Sequence, residues 1–302
     1  MDSLPLSPGQ VVSGRYRIDR ALAIGGFAVV YAATRLEDAQ PVALKALKAQ
    51  AGYKDESAVK RLEREAQVAQ ELSHPHSVRV FDSGESEDGS FYYVMELLDG
   101  VSVEGAIRSG HHFSAAVVKA MLEQILGAIE EMHGKGLVHR DLKPANIYLC
   151  QTPDDSVHAK LLDFGFAKVL EPAEPEEAGS NLTRKGIILG TPGYLAPEVC
   201  EGGSITGQAD LYALGIIAYE MLSGAPAYFG KASEKVRQQM TANPPELAPE
   251  LHALRIAAVI EKLMARKPVR RYETARLALI DLESMGDPAG ARQIKARWWQ
   301  FW

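Results

Sequence analysis

Apolar residues in the first hundred positions of the chain fall into short runs: Tyr16 to Ile24, Ala28 to Ala33, Val42 to Ala46, Val78 to Asp82 and Phe91 to Leu97. Rich in β-branched and aromatic residues and bounded by Gly, Pro, Asp and Ser, these runs predict strands. Between the third and fourth the period changes. Val59, Leu62, Ala66, Ala69 and Leu72 recur at spacings of three and four with charge on the other faces, which predicts a helix ended by His74-Pro75. From Asp99 onward the helical period dominates. Ser114 is placed to cap a long helix with an apolar face of Val118, Met121, Leu122, Ile125, Ile129 and Met132, and Gly134 lies just past its expected end. Gln208 to Leu222 is apolar nearly all round, so it predicts a helix buried on every side. Residues 171–180 are acidic and Pro-rich without any period, and predict a loop. The pattern is therefore α+β, a small sheet carrying one helix followed by a larger helical part.

Bulk composition narrows the function classes. A chain of 302 residues with 46% apolar content can bury a sizeable core. A net charge of -6 gives no general attraction to nucleic acid or to an anionic membrane, and no nucleic-acid partner is expected. The two cysteines, Cys150 and Cys200, stand in no metal or redox spacing, which fits a reducing, cytoplasmic setting. No apolar run is long enough for a membrane span, and Met1-Asp2 does not open a signal peptide.

Four separated segments carry candidate chemistry. Leu22 to Tyr31 holds Gly25-Gly26 between two strands, a turn whose backbone N–H groups could close over phosphates; alone, such a pair specifies only a turn. Val42-Ala43-Leu44-Lys45 puts a lysine at the end of an apolar strand, and Glu65 follows on the helix within reach of an ion pair. His139-Arg140-Asp141-Leu142-Lys143-Pro144-Ala145-Asn146 follows the long helix, and Asp163-Phe164-Gly165 follows the apolar pair Leu161-Leu162. Phosphoryl transfer needs a carboxylate to orient and deprotonate the attacking hydroxyl, a cation near the transferred group, and oxygen ligands for a metal. Asp141, Lys143, Asn146 and Asp163 make up that set. A purely loop-capping role for these residues would have to account for both motifs in this order.

Over residues 12–285 or so, these motifs resemble a eukaryotic-type Ser/Thr protein kinase of the kind found in bacteria. The resemblance implies a bilobal fold, with a small antiparallel β-sheet lobe at about 12–98, a mainly helical lobe at about 99–285, and ATP in the cleft between them. Residues 1–11 would be an extension and 286–302 a basic and aromatic tail. By similarity Gly25, Gly26 and the backbone through Val30 cover the phosphates, Leu22 belongs to the ATP site, Val30 and Ala43 roof the adenine, and Lys45, held by Glu65, meets the α- and β-phosphates. Met95 falls at the gatekeeper position, Glu96 and Leu98 would bond adenine through the backbone, and Tyr148 would form part of the floor. Asp141 is the implied base and Lys143 the cation at the γ-phosphate. Asn146 and Asp163 would hold Mg²⁺, or Mn²⁺ in its place.

Gly190 to Glu198 resembles the end of an activation segment, with Arg271 as the implied buried partner of Glu198 and Asp210 as a brace beneath the catalytic loop. Lys143 and Thr191 together imply Ser/Thr rather than Tyr substrates. Arg140 would be an uncompensated cation near the activation loop, which implies a phosphorylation switch at Thr183, or second Ser180, with self-association for phosphorylation in trans. Ala23 and Ala28 stand where the family usually has glycine, which bears on nucleotide affinity. His111-His112 lacks a third ligand and reads as a solvated loop. The tail, with Trp298, Trp299, Phe301 and Trp302 among basic residues, could dock on the large lobe, meet a partner or lie at a membrane interface. Two other classes fit the same fold: a pseudokinase scaffold, and a small-molecule phosphotransferase. The competent side chains at every motif position weigh against the first, and the segment ending at Glu198 against the second.

Overall fold

The computed structural model describes residues 6–25, 28–47, 63, 66–87, 89–111, 113–152, 156–163, 190–252 and 254–286. They form two compact units. One comprises the described residues as far as Ser73 together with Val78–Leu98; the other comprises His74–Ser77 and the described residues from Asp99 onward.

The first unit is an antiparallel sheet of six strands: β1 (Val11–Val12), β2 (Tyr16–Ile24), β3 (Ala28–Arg35), β4 (Pro41–Leu47), β5 (Val80–Glu85) and β6 (Phe91–Glu96), in the order β1-β2-β3-β4-β6-β5. Alternation divides its side chains between two faces. Val29, Tyr31 and Ala33 of β3, Val42, Leu44 and Ala46 of β4, and Tyr92 and Val94 of β6 point to one face and make the core with Ile18. Leu6, N-terminal to the first strand, joins that core and donates its N–H to the Tyr31 hydroxyl at 3.1 Å. The expected strand at Val78 to Asp82 begins instead at Val80 and runs on to Glu85, paired with β6 throughout and with a register shift between Val80 and Asp82, while Arg79 N is taken by the Glu96 side chain. Residues 66–70 are helical with Ala66 and Ala69 fully buried, as their spacing predicts; Val59, Leu62 and Glu65 lie outside the described residues.

The second unit carries helices α1 (Val103–Arg108), α2 (Ala115–Gly134), α3 (Pro197–Cys200), α4 (Gly207–Ser223), α5 (Ala232–Thr241), α6 (Pro249–His252), α7 (Arg255–Leu263) and α8 (Ala275–Ser284). Ser114 caps α2 as expected, its hydroxyl accepting from Val117 N. Gly134 is the last helical residue rather than the first beyond the helix; Gly136, at φ 75°, supplies the left-handed stop. Helix α4 is buried without a break from Ala209 to Met221, and at Gly215 a Cβ would lie 2.8 Å from that of Leu263, so glycine lets α7 pack closely against it. A three-stranded sheet, β7 (Gly100–Ser102), β8 (Ile147–Cys150) and β9 (His158–Leu161), was not evident from the pattern, since strands of three or four residues are too short to show a period.

Residues 74–77 attach to β9. His76 O accepts from Leu161 N at 2.7 Å, and the His76 ring donates from Nδ1 to the Ala159 carbonyl at 2.8 Å, a donation that fixes its tautomer. The ring lies between those of His74 and His158, at centroid distances of 5.5 and 4.8 Å. Burial pushes its pKa down from the ordinary 6.5 to about 4. The unfolded chain therefore takes up a proton on His76 that the folded chain refuses. Stability is expected to fall as pH drops from 6.5 toward 4. Urea melts across that range check this, and His76→Asn should flatten the dependence.

Candidate active site

The segment after α2 is held from below by one carboxylate. Asp210, in the first turn of α4 and 2% exposed, accepts the backbone N–H of His139 at 2.8 Å and of Arg140 at 3.1 Å, and the Nε2–H of His133 at 2.9 Å. Arg140 is left-handed at φ 64°, a conformation costing a non-glycine residue roughly 1–2 kcal/mol, and the charged hydrogen bonds from Asp210 offset it.

His139, fully buried, ties this segment to the one after β9. Its Nε2 faces the Leu162 carbonyl at 2.7 Å, and a carbonyl only accepts, so Nε2 carries the proton; Nδ1 then accepts from Asp141 N at 3.4 Å. Leu162 N donates to Asn146 O at 2.8 Å. Two bonds thus converge on Leu162, and the next residue is Asp163, itself left-handed at φ 56°. Sequence reasoning assigned His139 no role, although a histidine inside the motif was a visible signal.

Asp141 is bracketed. Its Oδ2 meets Lys143 Nζ at 2.8 Å, its Oδ1 accepts the Thr191 hydroxyl at 2.8 Å, and Lys143 Nζ lies 3.5 Å from the same hydroxyl oxygen. Asn146 Nδ2 donates to the Asp141 carbonyl at 2.9 Å, which fixes which end of the amide is nitrogen and which is oxygen. These four residues occupy the second unit, as does Tyr148 on β8, paired with Ser102 and Lys160.

The other expected nucleotide residues lie in the first unit. Strand register pairs Val30 with Lys45, Lys45 with Tyr93, and Ala43 with Met95. Opposed residues share a face, so Val30, Ala43, Lys45 and Met95 line the side of the sheet opposite its core. Lys45 Nζ lies 5.8 Å from the Tyr93 ring centroid. Gly25 N donates to Ala28 O at 2.9 Å and closes the turn, while Leu22 and Ile24 of β2 are exposed. Glu96 accepts Arg79 N on its side chain and donates its own N–H to Arg79 O; Leu98 follows, half-buried. Gly26, Glu65, Ser180 and Thr183 lie outside the described residues.

Glu198 and Arg271 form the expected pair, bidentate at 2.7 and 2.6 Å. The guanidinium also donates to the carbonyls of Ala265, Gln208 and Arg266, so its five N–H groups are all used, and it lies 4.8 Å from the Tyr212 ring centroid. A second anchor went unread in the sequence: Glu220, buried in α4, accepts the Tyr194 hydroxyl at 2.8 Å and Ala227 N at 3.0 Å. Burial raises the pKa of both side chains. A lone glutamate in an otherwise apolar helix was its only signal. Arg271→Met would leave Glu198 without its partner and is expected to cost about 3–5 kcal/mol, with Arg271→Lys costing less; denaturant unfolding measures both.

The model of the protein kinase domain matches residues 16–279. Serine/threonine-protein kinase pkn3 of Myxococcus xanthus is 33% identical over 282 residues, covering 92% of this chain and 51% of that protein. PknB of Mycobacterium tuberculosis is 33% identical over 294 residues, covering 94% and 45%. The chain thus spans about half the length of these curated relatives. The crystal structure of the Mycobacterium tuberculosis PknI kinase domain superposes with a TM-score of 0.70 at 26% identity, covering 94% of this chain and all of that one. Sheet, helices, bracketed aspartate and matched sequence agree, and the chain belongs to the protein kinase domain family.

Proposed function

We propose that this chain transfers the γ-phosphoryl group of ATP to serine and threonine hydroxyls of proteins. The observation that carries the reading is Asp141 bracketed by Lys143 and by the Thr191 hydroxyl, each at 2.8 Å. Thr191 makes the same contact that an incoming serine or threonine would make, an O–H donated to the Asp141 carboxylate. Asp141 orients that hydroxyl and takes its proton as the oxygen attacks phosphorus, and Lys143 sits 2.8 Å away to meet the negative charge on the transferred group.

The oxygens of Asn146 and Asp163 are hard donors suited to Mg²⁺ or Mn²⁺, and the amide of Asn146 is already oriented by its bond to Asp141 O. A divalent ion held there supplies neutralisation of phosphate charge. Lys45, with Glu65, takes the α- and β-phosphates under Leu22, Gly25 and Gly26. Val30, Ala43, Met95, Glu96 and Leu98 are the residues of the first unit proposed for the adenine, and Tyr148 is proposed for it on the family resemblance alone. The kinase domain runs from about residue 12 to 285, with 286–302 as a tail.

Thr183, or second Ser180, is the proposed switch, phosphorylated in trans by another copy. Among the described residues no helix is long and apolar enough to cross a membrane. Both cysteines are buried and free, which supports a cytoplasmic, reducing setting. Membrane association through the tail remains a separate proposal for the vesicle-binding behaviour of the intact chain.

Purified chain incubated with Mg²⁺ and labelled ATP should carry label on Ser or Thr, with Thr183 first among the sites found by mass spectrometry. Asp141→Asn should lower the rate by roughly 10²–10⁴-fold while ATP still binds. Bound ATP with no label on the parent contradicts the reading; label confined to residues other than Thr183 and Ser180 contradicts the switch alone.

A further inference from the structure

Helix α5 is mostly polar, with only Val236 and Met240 as half-buried apolar residues, and its one buried side chain is Gln239, at 0% exposure. A surface helix ordinarily docks through an apolar stripe. This one is held by polar bonds: Gln238 exchanges hydrogen bonds with the Phe229 backbone, Arg266 donates to the carbonyls of Met240 and Ala242, and Gln239 reaches the loop after Thr191. The Gln239 amide uses both ends. Its Oε1 accepts Gly193 N at 3.0 Å and its Nε2 donates to Leu195 O at 2.5 Å, so it serves alternate backbone positions as a neighbouring strand would. Gly193 stands at φ 107°, in the region that favours glycine, and Lys235 of the same helix lies over it. The intervening Tyr194 is held through its hydroxyl by Glu220.

Two residues upstream of Gly193, Thr191 bonds Asp141. Thr191, Tyr194 and Leu195 share the lining of one pocket with Asp141. The backbone that Gln239 grips is therefore one wall of the space beside the proposed base.

We propose that Gln239 is a positioning residue for the acceptor polypeptide: by clamping Gly193 and Leu195 it holds the loop at the height where Thr191 meets Asp141 and where the loop can receive a protein substrate. This role rests on the kinase reading. No apolar side chain of similar volume can supply both bonds, and a buried backbone N–H and carbonyl would be left unpaired. Glutamate retains the acceptor for Gly193 N but loses the donor to Leu195 O.

The test uses the 302-residue chain, an acceptor peptide selected from a degenerate Ser/Thr mixture, and separate KM values for peptide and ATP. Gln239→Met is expected to raise the peptide KM about tenfold or more and to move the ATP KM by less than about twofold, with Gln239→Glu between parent and Met. Gln238→Met, which touches only the Phe229 segment, should match the parent. A peptide KM within about twofold of the parent in folded Gln239→Met, or a fall in kcat with both KM values moving together, would overturn the role. Should Gln239→Met show no cooperative melting, the same two criteria apply to Gln239→Glu. If the parent itself transfers no phosphate to any peptide, the kinase reading fails, and this role with it.

Discussion

A single buried carboxylate carries much of this structure. Asp210 sits in the first turn of a helix buried on all sides, and it spends its lone pairs on two consecutive backbone N–H groups and one imidazole. An ionised acceptor in a low-dielectric setting makes stronger hydrogen bonds than a neutral one, which is what a left-handed Arg140 requires. With Arg140 so placed, the chain turns at Asp141. His139 points inward to Leu162, and the two chain segments bearing Asp141 and Asp163 are fixed relative to each other.

The loop from Thr191 to Glu198 is organised by the same economy. Each of its key positions answers to a polar side chain elsewhere in the second unit: Thr191 to the half-buried Asp141, and Gly193 and Leu195 to Gln239, Tyr194 to Glu220 and Glu198 to Arg271, all three of them buried. A loop without a regular backbone ladder must find such partners, since unpaired buried groups are costly. Polar specification of this kind gives one conformation where apolar packing alone would permit several.

Legibility in the sequence followed the physics of each signal. The long helix capped by Ser114 and the all-round apolar helix after Thr206 were visible because period and capping accumulate over many residues. The shared face of Val30, Ala43, Lys45 and Met95 became visible only with the strand register, because alternation within each strand does not say which residues of neighbouring strands stand opposite. Strands β7 to β9 were invisible because three or four residues hold no period. Asp141, Lys143, Asn146 and Asp163 stood out by residue type and order, and the structure brings the first three together. Glu220 and Gln239 were not, because a buried polar residue in a helix looks like a surface one until its long-range partner is known, and those partners lie 26 and 44–46 residues away.

The most direct measurement is the rate of phosphoryl transfer to protein serine and threonine by Asp210→Asn beside the parent, with ATP affinity measured in parallel. An asparagine offers one oxygen where the carboxylate offers two, so His139 N–H or Arg140 N–H goes unmet and Asp141 loses its placement. The account predicts a transfer rate lowered by about 10²-fold or more with ATP affinity changed by less than about threefold. A folded Asp210→Asn protein that transfers phosphate at the parent's rate would contradict it.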